Sequence, residues 1–171
     1  AQRRDLSLAE LTHLEIRPDS FGLAVVQERD RVGRATTAGR WIWKQELKSP
    51  VEDVAIGPDG HCALTTDDGV LTVLDPAGLT AGRYRSDPAE PLCLIDAVDG
   101  APGSVAWMTL ARRAEVLRGH ALNGEVVWET NVPWEGWEFH RAGPLAFVPA
   151  PDGRVLAYDG PGRLRGQGRP A

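Results

Sequence analysis

Residues 68–78 read DGVLTVLDPAG, and residues 152–162 repeat the same pattern as DGRVLAYDGPG. Each stretch starts with an Asp-Gly turn, continues through about five strand-like residues, and ends in a second turn that a Gly closes. Period-two alternation of apolar residues between turn residues is typical of β-hairpins. The two stretches therefore predict antiparallel strands that are joined by tight reversals.

The closing glycine of the second turn recurs along the chain. Similar turns read TTAG and ALNG, so the anchors are Gly39, Gly78, Gly124 and Gly162, spaced by 39, 46 and 38 residues. Each unit accommodates four short strands, and four strands in about 40 residues is the arithmetic of a β-propeller blade. A β-sandwich is the alternative because it also has many short strands, but the regular spacing favours the propeller.

We therefore predict an all-β chain whose residues 1–171 form one partial β-propeller domain. The four predicted four-stranded blades are approximately residues 11–49, 50–88, 89–133 and 134–171. Propeller blades stack face to face, so the apolar residues on both faces of each blade are expected to form the core between blades.

Two of the four units carry a Trp four residues after the closing Gly. Residues 37–44 (TAGRWIWK) and 122–129 (LNGEVVWE) resemble the quinoprotein-type, or PQQ-like, repeat, which runs roughly as Ala-x-Asp-x-x-Thr-Gly-x-x-x-Trp. The resemblance implies that the Trp docks onto the neighbouring blade and helps to hold the ring together. The implied docking residues and turn glycines are Trp43 and Trp128, with Gly39 and Gly124.

The same resemblance raises the possibility of an enzyme. Quinone-dependent dehydrogenases of that family use an adjacent Cys pair and a calcium-binding set of acidic and amide side chains. Here Cys62 and Cys93 are 31 residues apart, and no matching acidic-amide set can be picked out. The four His residues lack the spacing of a zinc site. We therefore predict no cofactor, no metal and no catalysis, with a portion of a ligand-binding or catalytic quinoprotein-like propeller as the alternative.

The segment of residues 134–141, WEGWEFHR, connects the third and fourth units. Such connections emerge on one face of a propeller, where ligands usually bind, and aromatic residues with a charged rim suit a protein contact. The alternatives are packing of Trp134 or Trp137 into the boundary between blades, and carbohydrate binding by these aromatics. The predicted contact residues are Trp134, Glu135, Trp137, Glu138, His140 and Arg141.

Four blades leave an apolar face uncovered at each end of the array, and exposed apolar faces of that size favour a partner. Three outcomes are open. The chain is part of a longer ring, two copies close an eight-bladed ring, or four blades close alone with help from residues 1–10. The first is favoured because rings of the resembled type usually have six to eight blades.

Charge and hydropathy exclude some partners. The net charge of −5 argues against nonspecific nucleic-acid binding. No apolar run approaches about 18 residues, so no transmembrane helix is predicted. Low Cys content favours the cytoplasm, although the compartment stays open. The predicted role is a non-catalytic scaffold that binds another protein, further blades of the same propeller, or a second copy.

Overall fold

Sixteen strands form four separate antiparallel sheets in the described part of the chain, which confirms the predicted all-β propeller fold. The computed structural model describes residues 11–16, 23–27, 30–36, 38, 40–57, 60–87, 92–97, 105–111, 115–133, 140–142 and 145–169. None of these residues belongs to a helix that is long and apolar enough to span a membrane.

Each sheet contains four consecutive strands, and we call the sheets blades 1 to 4. Blade 1 consists of β1 (Leu11–Ile16), β2 (Leu23–Gln27), β3 (Arg31–Ala35) and β4 (Trp41–Glu46). Blade 2 consists of β5 (Val51–Ile56), β6 (Cys62–Thr66), β7 (Val70–Leu74) and β8 (Thr80–Arg85). Blade 3 consists of β9 (Leu92–Ala97), β10 (Trp107–Ala111), β11 (Val116–His120) and β12 (Val126–Asn131). Blade 4 consists of β13 (His140–Ala142), β14 (Leu145–Pro149), β15 (Val155–Asp159) and β16 (Leu164–Gly168).

A register shift recurs at the same place in every blade. The third and fourth strands pair in register and then slip once near the end of the third strand. The slips lie at Arg34/Ala35, Val73/Leu74, Gly119/His120 and Ala157/Tyr158. A β-bulge bends the strand that carries it and increases its twist. The repeated bulge therefore shows that the four blades are structurally equivalent units.

The first strand of each of the first three blades lies next to the first strand of its neighbour. Strand β5 packs against β1 and β2 on one side, and β9 packs against β5 and β6 on the other. Because the strand order within each sheet follows the chain, the fourth strands lie at the opposite edge of each blade. This is the radial arrangement of a β-propeller.

Three apolar clusters hold the blades together, one at each boundary, which we call seams 1/2, 2/3 and 3/4. At seam 1/2, Val32 packs with Ile56 and Leu64, and at seam 2/3, Leu71 packs with Leu92 and Trp107. Seam 3/4 is formed by Val105, Met108, Leu110, Leu117, Val132, Ala146, Val148, Ala150, Leu156 and Tyr158. Burial of each large apolar side chain contributes roughly 1.5–3 kcal/mol, so the seams are the main source of stability.

Candidate interaction surface

A glycine-closed turn joins the third and fourth strands of blades 2, 3 and 4. In blades 2, 3 and 4 the amide of the closing Gly donates to the carbonyl three residues earlier, at 2.9, 2.9 and 2.8 Å. Gly78 and Gly162 have φ of +86° and +79°, a region that L-residues with a Cβ rarely occupy. In blade 2 the Asp75 carboxylate also accepts the amides of Ala77 and Leu79. These turns lie at equivalent positions in the three blades.

Trp43 lies on the turn of the following blade. Its indole Nε1 donates to the Pro76 carbonyl at 3.1 Å. A Cβ placed on Gly78 would lie 2.8 Å from two carbons of the indole ring, so the ring packs directly on that glycine. Gln45, on the same face of β4, donates to the Gly78 carbonyl. The fourth strand of blade 1 is therefore joined to the turn of blade 2 across seam 1/2.

Trp128 makes the equivalent contact at seam 3/4, between blade 3 and blade 4. Its Nε1 donates to the Gly160 carbonyl at 2.6 Å. A Cβ on Gly162 in blade 4 would lie 2.5 Å from the ring, and one on Gly119 in its own blade would lie 2.4 Å from it. The indole therefore lies between two glycines. Because neither glycine has a side chain, the indole itself fills the space between them at seam 3/4.

The contact at seam 2/3 is different, because Gly82 occupies the position that is equivalent to Trp43 and Trp128. A Cβ on Gly82 would lie 1.7 Å from the carbonyl oxygen of Asn123, so the turn of blade 3 rests directly on the main chain of β8. A Trp also serves this seam, but from the other blade. The ring of Trp107 lies over Gly57, where a Cβ would approach it to 2.8 Å. Trp107 is not among the predicted docking residues, because an aromatic residue at the start of a strand does not by itself indicate a contact between blades.

His120 supports the turn of blade 3 from inside seam 2/3. Its Nδ1 lies 3.0 Å from the Gly124 carbonyl, which can only accept, so Nδ1 carries the proton. Nε2 then accepts from the Thr109 hydroxyl at 2.8 Å. The ring also makes an edge contact with Tyr84 of blade 2, at a centroid distance of 5.2 Å. Burial is the main cause that lowers the His120 pKa to about 4, and the charge of Arg118 acts in the same direction.

Stability is expected to decrease on acidification because of His120. In the unfolded chain the imidazole has a pKa near 6.5 and is protonated below that pH. In the folded chain it stays neutral until the pH falls to about 4. The contribution is therefore fully present above pH 6.5 and is lost as the pH falls toward 4, by about 2 kcal/mol between pH 7 and pH 5. Urea unfolding at both pH values checks this. The His120→Gln variant is expected to be less stable than the wild type at pH 7, and most of that difference is expected to disappear at pH 5. If the variant keeps the pH dependence of the wild type, His120 is not the cause of that dependence.

The remaining predicted docking residues have separate outcomes. Gly124 is buried with φ of +85° and faces the backbone of Arg83 in blade 2. Gly39 lies outside the described residues. Like the contact of Trp107, a second contact between blades was not predicted: Arg34 is buried and donates from Nη1 to the Gly60 carbonyl of blade 2 at 3.2 Å. The sequence does not indicate this contact, because Arg34 and Gly60 belong to different blades and do not occupy positions of a repeated pattern.

The outer face of blade 4, which points away from blade 3, differs from the faces inside the array. Strands β6, β10 and β11 are buried at every position, whereas β14 alternates between half-buried and buried residues. On β14 and β15 the buried residues, such as Val148 and Leu156, face seam 3/4. The alternate positions are less buried, yet they are also apolar: Leu145, Phe147, Pro149, Val155 and Ala157.

A groove of about 380 Å³ lies on this outer face. It is lined by Phe147, Val155 and Ala157 together with the main chain near Gly166 and by Gln167 and Arg169. Gly166 is the equivalent of Trp43, Gly82 and Trp128, but open space surrounds the position that its Cβ would take. A half-buried sheet normally carries polar residues on its exposed face. This apolar, open face is therefore the strongest candidate for a binding surface in the described residues.

The predicted contact segment is only partly described. His140 and Arg141 begin β13, and His140 is exposed. Trp134, Glu135, Trp137 and Glu138 lie outside the described residues, so their predicted role as a contact surface stays a prediction.

Carboxylates at the turns are occupied by local donors. Thr66 donates to Asp68 at 2.6 Å, which is the main cause that lowers the pKa of Asp68, and Arg85 pairs with the same carboxylate. Burial acts to raise the pKa of Asp159, but the amide of Arg163 and the guanidinium of Arg165 outweigh it, so this pKa is also lowered. No group of three His, Cys, Asp or Glu residues in the described ranges could hold a metal ion.

Comparison with solved structures agrees with this geometry. BamB from Moraxella catarrhalis has a TM-score of 0.72 at 15% identity, covering 97% of this chain and 52% of BamB. The WD40 domain of Toxoplasma gondii coronin gives 0.72 at 15% identity, covering 94% and 46%. BBS1N in complex with ARL6DN gives 0.66 at 17% identity, covering 86% and 49%. The chain is a β-propeller array that spans about half the length of these structures.

Sequence comparisons do not narrow the class further. No family model matches the chain, and no curated protein is significantly similar to it in sequence. The structural similarities, at 15–17% identity, show the fold alone.

Proposed function

We propose that the chain is a non-catalytic protein–protein interaction module that presents the outer face of blade 4 to a protein partner. One observation carries the proposal: the alternate positions of β14 and β15 are apolar but only half-buried by the described residues. Exposed contiguous apolar surface is unfavourable in water unless something covers it. BBS1N, a similar structure, was solved in complex with ARL6DN, which is in keeping with an interaction role.

The repeats are proposed to be of the quinoprotein type. The docking of Trp43 on Gly78 and of Trp128 on Gly162 supports this, because the resembled repeat uses its Trp in that way. A non-catalytic role is supported by the turn carboxylates of Asp152 and Asp159, which are held by turn amides and Arg side chains. The connection that contains Trp134 and Trp137 is proposed as a second contact region.

The proposal is tested by co-purification with a tagged chain. Ala157→Glu places a charge on the apolar outer face of blade 4, whereas the control, Leu79→Glu, places one on a turn where the side chain is already 67% exposed. We expect a stoichiometric protein to co-purify with the wild-type and Leu79→Glu chains and to be lost from Ala157→Glu, since a buried unpaired charge is costly. Identical co-purification with both variants would contradict the proposal.

A further inference from the structure

A cleft opens at seam 1/2, between the fourth strand of blade 1 and the face of blade 2 that is directed toward blade 1. Its volume is about 660 Å³, within the range of roughly 300–1,000 Å³ that is usual for ligand sites. One wall is the end of β4 with the bend that follows it, the other wall is β8, and residues of β6 and β7 form the floor. The cleft shares no residue with the groove on blade 4.

The floor of the cleft is part of the packed seam. Leu71 and Val73 of β7 pack in seam 2/3 and Leu74 packs in seam 1/2, so Thr72 also faces seam 1/2 because side chains alternate along a strand. Leu64 is fully buried and Thr72 is 6% exposed. The floor residues are Leu64, Thr66, Val70 and Thr72, and Leu47 adjoins them. A ligand in the cleft therefore meets apolar side chains at its base.

Blade 3 shows what fills the same space when it is closed. Arg118 lies opposite Glu129 in the same register in which Thr72 lies opposite Arg83 in blade 2. The buried Arg118 donates from Nε to Glu129 at 3.3 Å, so a long side chain fills the space and a carboxylate balances its charge. In blade 2 the shorter Thr72 leaves the space open, and the residue opposite it is a cation instead of a carboxylate.

The walls of the cleft carry cations that lack a carboxylate. Arg83 and Arg85 alternate with residues that contact blade 3, so both face the cleft, and Lys48 lines the opposite wall. Arg85 pairs with Asp68 at 3.2 Å, whereas no ion pair among the described residues includes Arg83 or Lys48. Glu46 also borders the cleft, but it alternates with β4 residues that face blade 2, so its side chain is directed to the other face of the strand.

We propose that the cleft at seam 1/2 binds an acidic peptide segment of a partner protein. A carboxylate of the peptide pairs with Arg83, as charge-assisted hydrogen bonds to Arg favour, and an apolar side chain beside it packs on Leu64 and Val70. Both cations are exposed, so the cleft is open at the surface and admits a continuous chain. The net charge of −5 disfavours a polyanion such as a nucleic acid. This site goes beyond the proposed function, because it does not use the outer face of blade 4.

Fluorescence anisotropy with synthetic peptides tests the carboxylate contact. The probe is a fluorescent hexapeptide pool in which glutamate alternates with leucine or valine, and a matched pool has glutamine in place of glutamate. We expect the wild type to bind the glutamate pool about tenfold more tightly than the glutamine pool, and Arg83→Gln to remove that difference. The control is Lys44→Gln, since Lys44 is the exposed equivalent of Arg83 on blade 1 and lies outside the cleft. Its affinity for the glutamate pool is expected to equal that of the wild type.

A second variant tests whether the peptide enters the cleft. Thr72→Leu fills the floor with the side chain that blade 4 has at the equivalent position, where Leu156 lies opposite Gln167. Binding of both peptide pools is expected to weaken, because the space for the apolar side chain is lost. Urea unfolding verifies that Thr72→Leu and Arg83→Gln stay folded, as expected for a residue type that already occurs at the equivalent position and for an exposed side chain.

The possible outcomes separate this proposal from its alternatives. Absence of binding by the wild type, equal affinity for the two pools, or equal affinity of the wild type and Arg83→Gln would overturn the acidic peptide. Affinity that Thr72→Leu leaves unchanged would place the peptide on the rim and overturn the cleft as its site. Displacement of the peptide by an equal concentration of inorganic phosphate would show a simple anion site instead. Ala157→Glu is expected to bind the glutamate pool like the wild type, so this proposal and the proposed function can fail separately.

Discussion

Gly82→Ala is expected to destabilise the protein by more than about 3 kcal/mol. The new Cβ would lie 1.7 Å from the Asn123 carbonyl oxygen. That oxygen belongs to the main chain of the blade 3 turn, so no side-chain rotation can relieve the overlap. The turn must move, and the buried hydrogen bond from His120 to the Gly124 carbonyl is lost with it. Urea unfolding of the purified chain measures the effect.

Gly166→Ala is the matched control because it occupies the equivalent position on blade 4. Open space surrounds its Cβ site, so its free energy of unfolding is expected to stay within about 0.5 kcal/mol of wild type. The comparison is made at high dilution, where any self-association is absent. Equal destabilisation by the two substitutions would show that strand propensity, and not the contact across seam 2/3, controls the effect.

Trp128→Ala is expected to cost about 3 kcal/mol because it empties the space between Gly119 and Gly162. Neither glycine has a side chain that could move into the cavity. The Nε1 hydrogen bond to the Gly160 carbonyl is lost as well. Thermal or urea unfolding measures the loss.

Two further substitutions separate the contributions at this position. Trp128→Phe keeps an aromatic ring in the space but removes the Nε1 donor. We therefore expect it to destabilise the chain by about 1 kcal/mol, which is less than the loss expected for Trp128→Ala. Val127→Ala, at a neighbouring residue that is 53% exposed, is expected to change stability by about 0.5 kcal/mol or less. A Trp128→Ala chain as stable as Val127→Ala would show that the indole does not hold seam 3/4.

The two docking Trp residues show which contacts a repeat pattern can predict. Trp43 and Trp128 were chosen because they follow a closing glycine at a constant spacing, and each contacts the turn of the next blade. The pattern was visible because the same local geometry recurs in each unit. Trp107 and Arg34 cross the seams equally closely, but neither occupies a repeated position, so only the stacked structure reveals them.

His120 illustrates the same limit for a polar residue. The sequence showed a His without ligand spacing, which indicates a structural role, but not that its ring lies in seam 2/3 against Tyr84. Its low pKa depends on burial between two blades. Burial of this kind is a property of the stacked sheets, and no local pattern encodes it.

The sequence by itself determined the strands, the turns and the number of blades, because these depend on interactions between residues close together in the chain. Glycine is needed where φ is positive, as at Gly78 and Gly162, and alternation follows from the pleat of a strand. Only the tertiary structure decided which faces are covered. Strand β14 (LAFVP) is more apolar than β6 (CALTT), yet β6 is buried on both faces and β14 on only one. Whether a face of a blade is buried depends on whether another blade packs against it. The stacking of the blades decides this, and the residues of the blade itself do not.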